Sequence, residues 1–169
     1  MKRSAELTPL SHDHHQALEV ALRLRRVDAE EVETAVARFK TFWSAHGELH
    51  FEIEERRLLP ALDQADPVWA EAVARVRAEH AEIRERAVEV LGGSPPDAGA
   101  ARELGERLHE HVRFEERVLF VLLEERLDAK ALARLGRDLA ADHAAEVPGP
   151  GGAEASGPEH RRARSLPER

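Results

Sequence analysis

Apolar residues recur along the chain with the spacing of amphipathic helices. Ser, Thr and Asp residues, Pro residues and glycine pairs divide this pattern into segments, because such residues start or stop helices. The apolar stripes are three to four residues apart, which places each stripe on one helix face. The first helix is predicted over about Pro9–Arg26, and the second from an Asp28/Glu31 capping pair to a kink or end near Pro60. The third is predicted from Asp66 and Pro67 to Gly92 and Gly93, the fourth over about Ala98–Arg126, and the fifth from Asp128 to Ala145.

Composition agrees with an all-α protein. Charged residues make up 34% of the 169 residues and aromatic residues only 4%, a balance typical of amphipathic helices. Four long helices with short connections predict an up-down-up-down four-helix bundle, followed by a short fifth C-terminal helix. Residues 1–146 are expected to form this one domain. Residues 147–169, rich in Gly, Pro and charge, are expected to be a disordered tail.

Charge and cysteine content exclude several function classes. The net charge is -8 with acidic and basic residues mixed throughout, so no nucleic-acid partner is expected. The chain has no Cys, which excludes disulfides, thiolate metal sites and cysteine nucleophiles. Neither an apolar signal core near the N-terminus nor a membrane-spanning stretch is present in the sequence. A cytoplasmic protein without a membrane partner is therefore expected.

Two copies of one histidine–glutamate motif stand out. His50 and Glu54 belong to the run HFEIEERRLL, and His111 and Glu115 belong to the similar run HVRFEERVLF. Residues four apart lie on the same helix face, so each pair can offer an imidazole and a carboxylate to one ion. All four residues fall near the centre of their apolar stripes and are therefore predicted to face the core.

Two more histidines are predicted to face inward, His14 on the first helix and His80 on the third. Ionised carboxylates and imidazoles in a dry bundle need partners, and a bound metal satisfies both. Each of the four long helices would then contribute at least one inward imidazole. We therefore predict a metal site, and its candidate ligands are His14, His46, His50, Glu54, His80, His111 and Glu115.

Some of these assignments stay open at the level of sequence. His46 lies one turn before His50 and fits either a ligand or a polar residue at the rim of the site. His15 competes with His14 because register is least certain at a helix start. Glu55 and Glu116 replace Glu54 and Glu115 if the helices rotate slightly. Surface or tail positions are expected for His12, His109, His143 and His160.

Taken together, the motifs resemble the hemerythrin-like, or HHE cation-binding, family. The resemblance covers about residues 8–126 and rests on His14 after Leu-Ser-His-Asp, the two His-x-x-x-Glu-Glu motifs, and Glu-His80-x-x-Ile. It implies a non-haem di-iron centre with two bridging carboxylates, imidazoles at the other positions, and one position open for a small ligand. Oxygen-carrying members have a second histidine one turn along the third helix, where this chain has Val76 and Arg84. A ferritin-type site is disfavoured because its Glu-x-x-His motif is matched only by Glu106 and His109, which face outward.

The resemblance implies a protein that binds O2, nitric oxide or a similar small ligand for sensing, storage or detoxification. Iron is the expected metal, and zinc or manganese also suit these ligands. One alternative is an enzyme that repairs iron centres or reduces nitric oxide or peroxide under stress. Another is a metal-free helical interaction domain. The sequence makes no prediction of oligomeric state.

Overall fold

The computed structural model describes residues 3–65 and 69–146, and within them the chain is helical with no strand. A single turn of 3-10 helix, Ala5–Leu7, precedes five helices. The helices are α1 (Thr8–Arg26), α2 (residues 32–65), α3 (Ala70–Gly92), α4 (residues 98–126) and α5 (Ala129–Glu146). Helix α2 consists of the consecutive segments Val32–Phe42, Trp43–Gly47, Glu48–Ile53, Glu54–Leu58 and Leu59–Ala65. Helix α4 consists of Ala98–Phe114, Glu115–Leu119 and Phe120–Arg126.

Aspartates begin the last two helices, as the sequence predicts for α5. The Asp97 carboxylate accepts a hydrogen bond from the Ala100 amide (2.6 Å), and Asp128 accepts one from the Ala131 amide (2.7 Å), satisfying amides that lack partners in the first turn. The predicted Asp28/Glu31 capping pair is wrong in detail. Asp28 accepts from the amides of Glu30 and Glu31, in a turn that precedes a helix starting at Val32.

Three π turns lie within the long helices, at Trp43–Gly47, Glu54–Leu58 and Glu115–Leu119. A π turn holds one extra residue, so it shifts the inward face of everything after it. The spacing of a regular α-helix predicts Val118 and Leu122 on the inward face of α4 after Glu115, and this prediction is wrong: Val118 is 38% exposed and Leu122 is only partly buried, while Leu119 and Leu123 are fully buried. Of the two alternatives predicted near Pro60, a kink or an end, the end is wrong, because the helix continues to Ala65 directly after the second π turn. The kink stays a prediction.

The four long helices pack as a ring, in which α1 contacts α2 and α4, and α3 contacts α4 and α2. Their up-down-up-down order stays a prediction. The core has two apolar layers, one around Phe39, Ile83 and Leu104 and the other around Leu10, Val76 and Phe120. On every long helix, the inward histidines predicted from the sequence lie between residues of these two layers. The bundle therefore holds a polar layer at one depth.

Gly105 allows α1 and α4 to approach closely. A Cβ atom at this position would lie 2.7 Å from the Arg25 amide nitrogen and 2.8 Å from the Ala21 carbonyl oxygen. Both are backbone atoms of α1, so neither can move without displacing the helix.

The variant Gly105→Ala is expected to lower the free energy of unfolding by about 1–3 kcal/mol, since overpacking of a dense core costs about that much. Chemical denaturation measures the change. Gly92→Ala is the matched control, because a Cβ there meets nothing within 4 Å, and it is expected to leave stability equal or slightly higher. Equal stability of the two variants would contradict the packing argument.

Two sequence predictions lie outside the described residues: the helix start at Asp66 and Pro67, and the disordered tail over 147–169. Among residues 3–65 and 69–146, no helix combines the length and the apolar character needed to cross a membrane.

Candidate metal centre

Six side chains from the four long helices meet in the polar layer. The residues are His14 on α1, His50 and Glu54 on α2, His80 on α3, and His111 and Glu115 on α4, and each is at most 6% exposed. Both π turns of the duplicated motif begin at the glutamate, at Glu54 and at Glu115. The wide turn keeps the following leucines, Leu58 and Leu119, buried. Each glutamate is thereby fixed at the centre of the inward face.

The six residues form two groups of potential metal ligands that share both carboxylates. His14, His50, Glu54 and Glu115 make one group, and Glu54, His80, His111 and Glu115 make the other. Within each group one ligand atom per residue lies within 4.8 Å of the others. The first group is called the His14/His50 half and the second the His80/His111 half.

Glu54 and Glu115 lie between the two halves. The Glu54 Oε1 atom is 3.3 Å from His50 Nε2, and its Oε2 atom is 3.4 Å from His80 Nε2. Glu115 Oε2 is 3.2 Å from His14 Nε2 and 3.3 Å from His111 Nε2. Each carboxylate therefore faces imidazoles of both halves.

Polar atoms at this centre lack protein partners. Both carboxylate oxygens of Glu54 and of Glu115, and the Nε2 atoms of His80 and His111, are buried without a hydrogen bond. Buried polar groups are nearly always satisfied, and an unsatisfied one costs about 1–3 kcal/mol. Carboxylate oxygen and imidazole nitrogen suit a divalent ion of zinc, iron or manganese. The donor set therefore fits a metal.

Each of the four central imidazoles forms a hydrogen bond through Nδ1, the nitrogen that faces away from the centre. Its partner is a carboxylate on the preceding helix of the ring. Asp13 on α1 contacts His50 Nδ1 (3.3 Å), Glu55 on α2 contacts His80 Nδ1 (2.8 Å), Glu79 on α3 contacts His111 Nδ1 (3.0 Å), and Glu116 on α4 contacts His14 Nδ1 (2.9 Å). An ionised carboxylate only accepts, so each Nδ1–H donates and the Nε2 atom faces the centre. Such carboxylate–histidine pairs orient metal ligands and raise their basicity.

Each of these four outer carboxylates is paired with a cation. Arg3 binds Glu116, Arg84 binds Glu55 and Arg75 binds Glu79, each at 2.7 Å. Asp13 accepts instead from His143 Nε2 on α5, at 2.6 Å. The cations keep the outer carboxylates charged, and so keep them hydrogen-bond acceptors.

Aromatic rings fix two of the imidazole planes. Phe51 stacks on His80 with ring centroids 3.8 Å apart, and Phe120 stacks on His14 with centroids 5.1 Å apart. A small cavity of about 10 Å³ borders His50 and Asp13 and is walled mainly by apolar side chains, including Trp43. A space of this size suits one water-sized molecule.

The charges of the centre shift the histidine pKa values. Burial lowers the pKa of His50, but the negative charge of Glu54 and the hydrogen bond to Asp13 outweigh burial and raise it to about 9. The pKa of His14 and that of His80 are also raised, because their carboxylate partners outweigh burial. In the metal-free protein, protonated imidazoles therefore offset the buried carboxylates.

Metal-free protein is expected to lose stability as the pH rises from about 6.5 to about 9. Folding raises the pKa of His50 from 6.5 to about 9. The protonated imidazole therefore stabilises the folded protein fully below pH 6.5, and this stabilisation disappears as the pH passes about 9. The loss is up to about 3 kcal/mol. Urea denaturation at a series of pH values measures it. Zinc-loaded protein is the control and should decline less, and a flat profile for metal-free protein would contradict the charge balance described above.

The alternative ligand candidates differ in their burial and in their distance from the centre. His14 is buried and His15 is exposed. Glu54 and Glu115 are fully buried, whereas the side chains of Glu55 and Glu116 are 28% and 25% exposed. His46 belongs to neither half, and lies partly exposed in the first π turn beside the small cavity.

One histidine is not where the sequence places it. His143 was expected at the surface, but it is partly buried against Asp13 and its Nδ1 contacts the Leu139 carbonyl oxygen. Periodicity could not reveal this, because the contact joins residues at opposite ends of the domain.

Asp13 and Glu79 are functional residues that the sequence analysis missed. Glu79 is 4% exposed, although a glutamate on a charged helix usually faces solvent. A signal does exist: each outer carboxylate directly precedes or follows a central ligand candidate, as in Asp13-His14, Glu54-Glu55, Glu79-His80 and Glu115-Glu116.

With this geometry in place, comparison with known families is informative. The sequence model of one protein family, the hemerythrin HHE cation-binding domain, matches residues 6–123. The chain therefore belongs to the hemerythrin HHE cation-binding family. Searches of curated proteins and of solved structures give no significant match. The matched residues include all six central side chains and end before α5.

Proposed function

We propose that the protein is a non-haem di-iron protein that binds a small ligand such as O2 or nitric oxide, for sensing, storage or detoxification. The proposed ligands are His14 and His50 for one ion and His80 and His111 for the other. Glu54 and Glu115, which belong to both groups, would be shared by the two ions. His46 is not in the proposed set because it lies outside both halves.

The sharing of Glu54 and Glu115 by both halves is the observation that carries the proposal. A site for one ion would need a single cluster of three or four donors. Here two clusters overlap in their carboxylates, and each has its own imidazole pair. Two ions that share both carboxylates would satisfy the unpartnered atoms of Glu54, Glu115, His80 and His111.

The protein residues hold and orient the centre. Two carboxylates supply two negative charges. Each of the four imidazoles would bind as a neutral ligand, with Nδ1–H donating a hydrogen bond to an outer carboxylate and the unprotonated Nε2 free to bind the metal. Iron bound in this way supplies redox chemistry and a coordination position for a small ligand, since each half offers only four protein donors. Apolar walls around Trp43 and Phe51 limit the entry of water.

The choice of iron follows from the family, because the same donors also suit zinc and manganese. A metal-free interaction domain is disfavoured by the unpartnered atoms of Glu54 and Glu115. No residue near the centre stands out as a nucleophile or as a catalytic base independent of the metal, so simple binding is preferred to the repair or reductase alternative. The cytoplasmic location stays a prediction from the sequence.

Optical spectra of iron-loaded protein test this proposal. Spectra are recorded without oxygen, in air, and with azide or nitric oxide, together with the iron content per chain. The proposal predicts absorption that changes with the added ligand and two irons per chain. A centre that takes up zinc but no iron, or a spectrum insensitive to every ligand, would refute it.

A further inference from the structure

Helix α5 reaches the surroundings of the metal centre through His143. His143 Nε2 lies 2.6 Å from Asp13 Oδ2, and the same Asp13 oxygen lies 3.3 Å from His50 Nδ1. The second His143 nitrogen, Nδ1, lies 3.2 Å from the Leu139 carbonyl oxygen. A carbonyl and a carboxylate both only accept, so His143 donates from both nitrogens. Two successive hydrogen bonds therefore connect α5 to the His14/His50 half, one from His143 to Asp13 and one from His50 to Asp13.

This support differs from that of the other three imidazoles. The carboxylates behind His14, His80 and His111 are each paired with an arginine belonging to the bundle or to the segment just before it. Within the described residues, the hydrogen-bond partners of the Asp13 carboxylate are His143 and His50. The orientation of Asp13, and through it that of His50, thus depends on a helix outside the four-helix ring.

Docking of α5 does not rest on His143 alone. Leu135 and Leu139 are buried in the apolar layer that also contains Leu7 and Leu10. Gly136 packs on Glu6, where an added Cβ would lie 2.8 Å from the Glu6 Cβ. Asp142 forms further ion pairs with Arg56 and Arg57, at 3.1 and 2.7 Å. The helix can therefore remain docked when one polar contact is removed.

We infer that His143 is a positioning residue through which α5 controls metal binding at the His14/His50 half only. The helix lies beyond the residues matched by the family model. When α5 is docked, His143 holds Asp13 against His50. This contact keeps the Nε2 atom of His50 facing the centre. By linkage, a metal in this half stabilises the docked helix to the same degree. This inference rests on the proposed metal site.

Zinc is the probe, because it is redox-inert and accepts imidazole and carboxylate ligands. Zinc affinities are measured by competition with a chromophoric chelator for the full chain and for His143→Ala. Loss of an outer partner of a ligand histidine typically weakens metal affinity by about 10–100-fold. His143 acts through such a partner, Asp13, so we expect a loss near the lower end of this range, about 10-fold, for one of the two zinc ions. The affinity for the other ion should not change, which also reports that the variant is folded.

Three further variants separate positioning from general damage. His143→Gln keeps a donor at the position of Nε2 and should restore most of the affinity. Asp142→Asn removes the neighbouring ion pairs without touching Asp13, and should change affinity by less than about five-fold, since surface ion pairs contribute little. In a His50→Ala background, which disables the His14/His50 half, adding His143→Ala should have no further effect.

Hydrogen exchange gives a readout that does not depend on affinity. Amides of residues 129–146 should exchange more slowly in zinc-loaded than in metal-free wild type, and this protection should be much smaller in His143→Ala. If the wild type takes up no zinc, the proposed metal site fails and the inference fails with it. If the wild type binds two zinc ions and His143→Ala binds both with unchanged affinity, the metal site stands and the inference alone is overturned.

Discussion

Replacing either Glu54 or Glu115 with glutamine is expected to release both metal ions, whereas replacing His111 with alanine is expected to release one. Each glutamate lies within both halves, while His111 lies in one. Glutamine keeps the size of the side chain but removes the negative charge that offsets two cations. The loss of affinity should exceed about 100-fold for both ions, since even the loss of an outer partner costs about 10–100-fold.

Metal content after dialysis, measured by elemental analysis, distinguishes these outcomes. The expected values are near zero for Glu54→Gln and Glu115→Gln, about one for His111→Ala, and two for the wild type. His15→Ala is the matched control, because His15 is exposed beside a central ligand, and it should retain two. Loss of only one ion in both glutamine variants would show that the carboxylates do not bridge.

Metal loading is expected to raise the melting temperature by about 5–15 °C. A ligand present at about 100 to 1,000 times its Kd stabilises the native state by roughly 2.7–4.1 kcal/mol. For a protein of this size, each kcal/mol corresponds to about 2–4 °C. The physical source is the group of buried oxygens and nitrogens at Glu54, Glu115, His80 and His111 that lack partners in the protein.

Calorimetry with and without zinc measures this shift. Calcium is a suitable negative control, because it prefers more oxygen ligands than this centre offers. The Glu115→Gln variant should show little or no shift with zinc. An equal shift in wild type and in Glu115→Gln would mean that the stabilising metal binds elsewhere.

The ligand candidates were predictable because helical periodicity is strict over short distances. His50 with Glu54 and His111 with Glu115 are four residues apart, and His14 and His80 lie at the centres of clear apolar stripes, so burial followed from spacing. His46 shows the limit of this reasoning. It lies one turn before His50, but in the π turn Trp43–Gly47 the spacing of an α-helix no longer applies.

Contacts between distant segments could not be read from spacing. Asp13 and His143 meet across nearly the whole domain, and no local pattern predicts their contact. The exposure of Val118 had the same kind of cause, since the π turn at Glu115 shifts the register of the residues that follow it. A π turn is itself selected by packing around the centre, so the sequence of one helix does not predict it.

Anomalous X-ray diffraction from crystals of metal-loaded wild type tests the central claim most directly. The account predicts two peaks about 3.5–4 Å apart, the separation typical of two-metal sites, with Glu54 and Glu115 each bound to both metals and two histidines bound to each. A single peak, or peaks that do not share these two carboxylates, would contradict it.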